Sequence, residues 1–173
     1  MRKVEVSSYD EKWAVLFAEE ADKLKLVFEN EMVAIHHIGS TAVPGLKAKP
    51  IIDIMPVVKD ISLVDKYNEE MQNIGYESKG ENGISGRRYF QKGGDNRTHH
   101  VHVYQVGSTE IERHLAFRDY FLNHPHERKS YGALKEKLAE QFPYDIESYI
   151  NGKDAFVKEI ELKALEWAKE NQE

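Results

Sequence analysis

What most narrows the folding of this chain lies between residues 36 and 54, His36-His37-Ile38-Gly39-Ser40-Thr41-Ala42-Val43-Pro44-Gly45-Leu46-Lys47-Ala48-Lys49-Pro50-Ile51-Ile52-Asp53-Ile54. Met32–Ile38 and Ile51–Val58 are short apolar runs that read as strands, and a turn-rich loop from Gly39 to Pro50 joins them. Gly39 has no Cβ, so the backbone there can come close to a ligand. Ser40 and Thr41 offer hydroxyls and amides to a phosphate, as nests of backbone N–H groups do. The alternative for this loop is a plain tight turn. Asp53 sits inside the second apolar run, where a carboxylate is costly to bury unless it meets a polar cleft, a partner or a metal. A structural acid bonded to backbone amides is the alternative there.

Around this segment the pattern predicts an α+β chain. Ser8 and Glu11 form a Ser-x-x-Glu capping box ahead of a helix with Trp13, Leu16, Phe17, Leu24, Val27 and Phe28 on one stripe. Ile61–Ile74 reads as a helix closed by Gly75. Tyr76–Ser78, Arg87–Gln91 and Arg97–Val106 are strand candidates, the last two joined by the turn Gly93-Gly94-Asp95-Asn96. Thr109 with Glu112 caps a helix that Asn123-His124-Pro125 ends. Further helices are expected from about Glu127 to Gln141 and from about Asn151 onward. There is no repeat, low-complexity tract or linker, and 173 residues suit one domain with a real core.

The strands set the chemistry. Asp53 and Met55 share one face of their strand, while Ile52 and Ile54 share the other. On the later strand Val101 and Val103 face the core, which turns His100, His102 and Tyr104 the other way. If the two strands are neighbours, both histidines point where Asp53 points. His-x-His on a strand is a metal-ligand spacing, and a half-exposed strand face is the other reading. His36 and His37 read as structural. Lys47 and Lys49 lie in the phosphate loop, Lys49 being favoured because Pro50 rigidifies its surroundings. Arg87, Arg88 and Arg97 are either a solvated hairpin or cations set near an anionic ligand.

The stretches Gly39–Leu46 and Lys49–Ile54, the histidine strand near 100 and Phe117-Arg118-Asp119-Tyr120 resemble the GrpB family, over roughly Val6 to Ala168. More broadly, a GS turn followed by a strand-borne Asp resembles the nucleotidyltransferase superfamily. The family is also found fused to dephospho-CoA kinase. The resemblance implies one nucleotidyltransferase-like domain over residues 1–173, a mixed β-sheet with helices packed on it and a C-terminal helical region. It implies a cleft between the GS turn and the hairpin strand. There Gly39, Ser40, Thr41, Lys49, Arg87, Arg118, Tyr131 and Lys135 would bind a nucleotide or related phosphorylated ligand. Mg²⁺ or Mn²⁺ would sit on Asp53, His100 and His102, and Asp53, Lys49 and His102 would carry the chemistry. Phe117-Arg118-Asp119-Tyr120, Tyr131, Lys135 and Lys153 look like recurring features, which an internal salt-bridge network explains equally well. The superfamily pattern has a second acid two residues after Asp53, whereas this chain has Met55. That departure puts two-metal nucleotidyl transfer in question.

Three function classes follow: transfer of a nucleotidyl group, a non-catalytic nucleotide- or CoA-related binding module, and a transition-metal hydrolase on the histidine strand. A formal net charge of −6 argues against nucleic acid as the partner. The absence of cysteine removes disulfides, thiolate metal sites and a Cys nucleophile. Met1–Asp10 has no leader-type apolar core and no run matches a membrane span, so a cytoplasmic location is expected.

Overall fold

In the computed structural model, residues 3–171 are described. The two residues at each end, which belong to the expected 1–173 domain and in part to the Met1–Asp10 segment, lie outside the described residues. Five strands, β1 (Met32–Ile38), β2 (Ile52–Val58), β3 (Tyr76–Ser78), β4 (Arg88–Lys92) and β5 (His99–Gln105), form one sheet in the order β1-β2-β5-β4-β3. The β2–β5 pair is parallel and the other pairs are antiparallel. A parallel pair needs a long crossover; here the helical segment after β2 and the β3–β4 hairpin provide it. The helices are α1 (Lys12–Phe28), α2 (Asn68–Asn73), α3 (Thr109–Asn123), α4 (Pro125–Gln141) and α5 (Ile146–Glu170). This is the mixed α+β architecture that the sequence predicts, with a C-terminal helical region. Among the described residues no helix is long and apolar enough to cross a membrane.

Several element boundaries differ from the sequence reading for local reasons. α1 starts at Lys12, so Ser8 is not its cap; the neighbouring Ser7 instead bridges to Ala48. The expected Ile61–Ile74 helix is 3₁₀ over Ile61–Tyr67 and α-helical only over Asn68–Asn73. Gly75, with φ 97°, closes it. The Ser108 hydroxyl, not Thr109, accepts the Glu110 amide at the start of α3. α5 begins at Ile146, five residues before the expected Asn151, because the Asp145 carboxylate accepts the Ser148 amide at 3.1 Å.

Two compact units emerge. One comprises residues 12–38 and 51–111 and holds the sheet with α1 and α2. Helix α1 covers one sheet face: Leu24 and Phe28 are fully buried, and the Phe17 ring stacks on His37 at 4.8 Å. Ile52, Ile54, Phe90, Val101 and Val103 supply the apolar floor of that face. A buried polar knot lies among them. Glu20 accepts from Tyr76 Oη at 2.9 Å and from Lys92 Nζ at 2.8 Å. Burial, the largest influence, raises the Glu20 pKa, but the Lys92 and Tyr76 bonds outweigh it and leave the carboxyl below its ordinary value.

The other unit comprises the chain up to Glu11, Gly39–Pro50, and the chain from Glu112 onward. Its main core gathers Val43 and Leu46 of the loop with Ala116, Tyr120, Phe121, Tyr131, Ile160 and Ala164 of the helices. A second core joins Val4, Leu138 and Tyr149. Gly152 lets α5 approach α4, since a Cβ there would stand 2.5 Å from Leu138 Cδ2.

Candidate functional site

In the sheet unit, register assembles a polar cluster on the face opposite α1. Asp53 of β2 pairs with His100 of β5, and Tyr89 of β4 pairs with His102. Side chains of paired positions share a face, so Asp53, Tyr89, His100 and His102 converge. Asp53 Oδ1 lies 3.0 Å from His102 Nε2 and 3.4 Å from His100 Nδ1. The Tyr89 ring is 5.6 Å from that of His100 and 5.2 Å from that of His102. Burial, the largest influence, pushes the Asp53 pKa up, but the hydrogen bonds from His100 and His102 overcome it. The carboxyl is held well below the usual range and stays ionised.

Arg87 closes this cluster. Its Nε donates to Glu81 O at 3.1 Å and its Nη2 to Asn82 O at 2.8 Å. Its Nη1 lies 3.3 Å from His102 Nδ1, and its guanidinium sits 4.9 Å from the Tyr89 ring centroid. Arg87 is 7% exposed, so its guanidinium, held by carbonyls and an imidazole, is a largely buried charge.

The donor set fits one divalent ion. Among the described residues, Asp53, His100 and His102 are the group whose ligand atoms all lie within 4.8 Å of one another. His100 Nδ1 and His102 Nε2 both lie within 3.4 Å of Asp53 Oδ1, close enough to share one ion with it, and His100 Nε2 is buried with no hydrogen-bond partner among the described residues. One carboxylate with imidazole nitrogen suits Mn²⁺, Co²⁺ or Zn²⁺ better than Mg²⁺, which prefers an all-oxygen shell. Met55 is completely buried, so position 55 adds no ligand.

In the helical unit the GS turn meets a set of lysines. Gly39 has φ 72° and ψ −170°, a region essentially restricted to glycine. Ser40–Ala42 then forms a 3₁₀ turn, with Thr41 buried inside it. Lys135 of α4 is 2% exposed; its Nζ donates to Ser40 Oγ at 2.5 Å and to Lys47 O at 3.0 Å, and stands 4.1 Å from the Tyr131 ring centroid. Lys153 Nζ donates to Tyr131 Oη at 3.3 Å. Lys49 and Lys153 lie 5.4 and 5.5 Å from the Tyr149 ring. Burial pushes the Tyr149 phenol up to about 12, and its Oη lacks a hydrogen-bond partner among the described residues.

The structure thus gathers Asp53, His100, His102 and Arg87 in the sheet unit, and Gly39, Ser40, Lys49, Tyr131 and Lys135 in the helical unit. Arg118 donates to Asp119 at 2.8 Å, an ion pair of the kind an internal salt-bridge network makes. Tyr89 and Tyr149 escape the sequence reading. Pairing the predicted hairpin about Gly93–Asn96 would have set Tyr89 beside His102; no pattern singles out Tyr149.

A five-stranded mixed sheet with an acid on β2 and a GS turn before it defines a nucleotidyltransferase-like fold. Similarity to the Cid1 poly(U) polymerase shows the same at the level of fold: TM-score 0.54 and 13% identity, over 77% of this chain and 44% of that one. The chain belongs to the GrpB protein family, whose profile matches residues 3–163. It is 55% identical over 168 residues to the UPF0157 protein YqkA of Bacillus subtilis, covering 97% of this chain and 49% of YqkA. It therefore spans about half the length of that relative. The crystal structure of the conserved protein GrpB from Enterococcus faecalis superposes with a TM-score of 0.91 at 48% identity, covering 94% of this chain and 98% of that one. A dephospho-CoA kinase of Mycolicibacterium paratuberculosis is 23% identical over 184 residues, 92% of this chain and 45% of the kinase.

Proposed function

We propose that this chain binds the phosphates of a nucleotide or related phosphorylated ligand at the Ser40–Lys135 cradle, with one divalent ion at the Asp53 cluster, and that nucleotidyl transfer is the reaction its fold serves. The observation that carries the reading is Lys135. An ammonium in the interior, bonded to the Ser40 hydroxyl of a glycine-restricted turn, places fixed positive charge where a phosphate oxygen can replace a neutral acceptor. Lys49 and Lys153, held over tyrosine rings, add to the same potential. Thr41 supports the turn, Arg87 supports the ion site, and Lys49 offsets charge developing on a phosphoryl group. A divalent ion would supply Lewis-acid chemistry when bound; the sheet unit's part is to present Asp53 ionised, and the helical unit's part is to bind phosphate.

The burial of Met55 favours a second reading, binding without turnover, because the superfamily's second carboxylate has no counterpart. The dephospho-CoA kinase relatives place CoA-related ligands in the same screen. The test is calorimetry and thermal shift with the four nucleoside triphosphates and dephospho-CoA, each with and without Mg²⁺, Mn²⁺ and Zn²⁺, beside release of pyrophosphate. Loss of one charge-assisted bond, about 1.5–3 kcal/mol, should weaken triphosphate binding roughly 10- to 150-fold in Lys135→Met. Triphosphate affinity unchanged in that variant would refute the cradle. Pyrophosphate release distinguishes transfer from binding alone, and stabilisation by Zn²⁺ without nucleotide would point to the hydrolase.

A further inference from the structure

The two histidines beside Asp53 are not equivalent. A guanidinium has only donors and keeps its charge at any ordinary pH. The Arg87 contact at 3.3 Å therefore requires a lone pair on His102 Nδ1, which leaves the ring proton on Nε2. That Nε2–H donates to Asp53 Oδ1 at 3.0 Å. His102 thus bridges cation and anion, with neither ring nitrogen presenting a lone pair towards an ion beside Asp53. A metal-bound histidine normally donates its second N–H to a carboxylate or carbonyl; a guanidinium in that place is the opposite arrangement. On His100, Nδ1 lies 3.4 Å from Asp53 Oδ1, a separation that two ligand atoms of one ion can have, and Nε2 has no hydrogen-bond partner among the described residues.

Resting on the ion-binding reading above, we propose that Arg87 is a positioning residue that takes His102 out of the ligand set, so that Asp53 and His100 hold the ion while His102 holds Asp53. The placement of Arg87 supports this. Two backbone carbonyls and the face of Tyr89 anchor it, so the contact with His102 does not depend on a flexible side chain finding its mark. Its fixed positive charge near the site also works against a second cation. Arg87 and the buried Met55 together would make this a site for one ion.

Two measurements on the full chain test the assignment. Heteronuclear NMR of the imidazole nitrogens in the metal-free protein should show His102 protonated on Nε2 and unprotonated on Nδ1. Pulsed electron paramagnetic resonance of bound Mn²⁺ should then count one coordinating imidazole in the wild type. That signal should vanish in His100→Ala and persist in His102→Ala. In Arg87→Met the count should rise to two, with Mn²⁺ binding about tenfold tighter, the size of effect that an outer-shell partner exerts. The two alanine variants keep Arg87, so the assignment stands or falls even if Arg87→Met does not fold. Two imidazoles on Mn²⁺ in the wild type, or a signal lost with His102 rather than with His100, would overturn the inference while leaving an ion site in place. Absence of Mn²⁺ binding in every form would sink the ion-binding reading and this inference with it.

Discussion

Replacing Met55 by Asp puts back the carboxylate that the superfamily pattern has two residues after Asp53, and the sequence alone suggests that the change could restore a second metal ligand. The structure predicts damage first. Met55 is fully buried, so the substitution forfeits about 1.5–3 kcal/mol of apolar burial. The new carboxylate lies on Asp53's own strand face, roughly 7 Å away from the strand rise. At an effective dielectric of about 20 the two charges repel by roughly 2.4 kcal/mol. Desolvation adds several kcal/mol for an ionised group, and the acid escapes part of that only by staying protonated. A loss on the order of 5 kcal/mol remains, and at about 2–4 °C per kcal/mol for a chain of this size it lowers Tm by roughly 10–20 °C. The assay is thermal unfolding of wild type, Met55→Leu and Met55→Asp, each with and without Mn²⁺, beside pyrophosphate release from the four triphosphates. Met55→Leu, a near volume-conserving swap, should cost less than about 1.5 kcal/mol. If Met55→Asp unfolds within a few degrees of wild type and releases pyrophosphate faster, position 55 opens onto the ion site and the reasoning from burial is wrong.

Three further outcomes are expected. Asp53→Asn keeps the shape and one acceptor for His102 but removes the charge, so divalent-ion binding should be abolished in calorimetry while stability moves by only about 1 kcal/mol; retention of ion binding would count against Asp53 as a ligand. Glu20 has a folded pKa below its ordinary 4.5, so its contribution is present above that pH and is lost as pH falls through the lower folded value. Acid unfolding of Glu20→Gln should accordingly lose part of the wild-type slope below pH 4.5, and identical acid limbs would show that the knot with Tyr76 and Lys92 contributes nothing. Gly152→Ala should destabilise by about 1–3 kcal/mol in denaturant melts despite alanine's better helix propensity, because its Cβ would press on Leu138; a more stable variant would show that the helices separate at little cost.

The sheet was legible because its signals are local. Period-two alternation marks Asp53, His100 and His102, the Gly93–Asn96 turn marks the hairpin, and β1 is read to the residue and β2 to within one. The parallel pairing of β2 with β5 was only conditional in the sequence, since alternation says which face a residue takes but not which strand lies beside it. The boundaries that failed are those set by single side-chain caps: Ser108 and Asp145 captured amides where Thr109 and a later start were expected. Alternation puts Met55 on Asp53's face, but its complete burial comes from tertiary packing that no strand pattern carries. The role of Arg87 was hidden for a similar reason. Its position follows from a loop folding back through the carbonyls of Glu81 and Asn82, and loop geometry leaves little trace in hydrophobic periodicity.

The lysine cradle is stitched from distant parts of the polypeptide: Ser40 and Lys49 from the loop between β1 and β2, Lys135 and Tyr131 from α4, Tyr149 and Lys153 from α5. The entropy cost of closing so long a loop grows only logarithmically, yet closure is delayed, because contacts between remote positions form late. During synthesis the serine turn leaves the ribosome long before α5 exists to meet it. The cradle is therefore among the later features of this stretch of chain to be completed, since it needs α4 and α5 in place before Ser40 has its lysine.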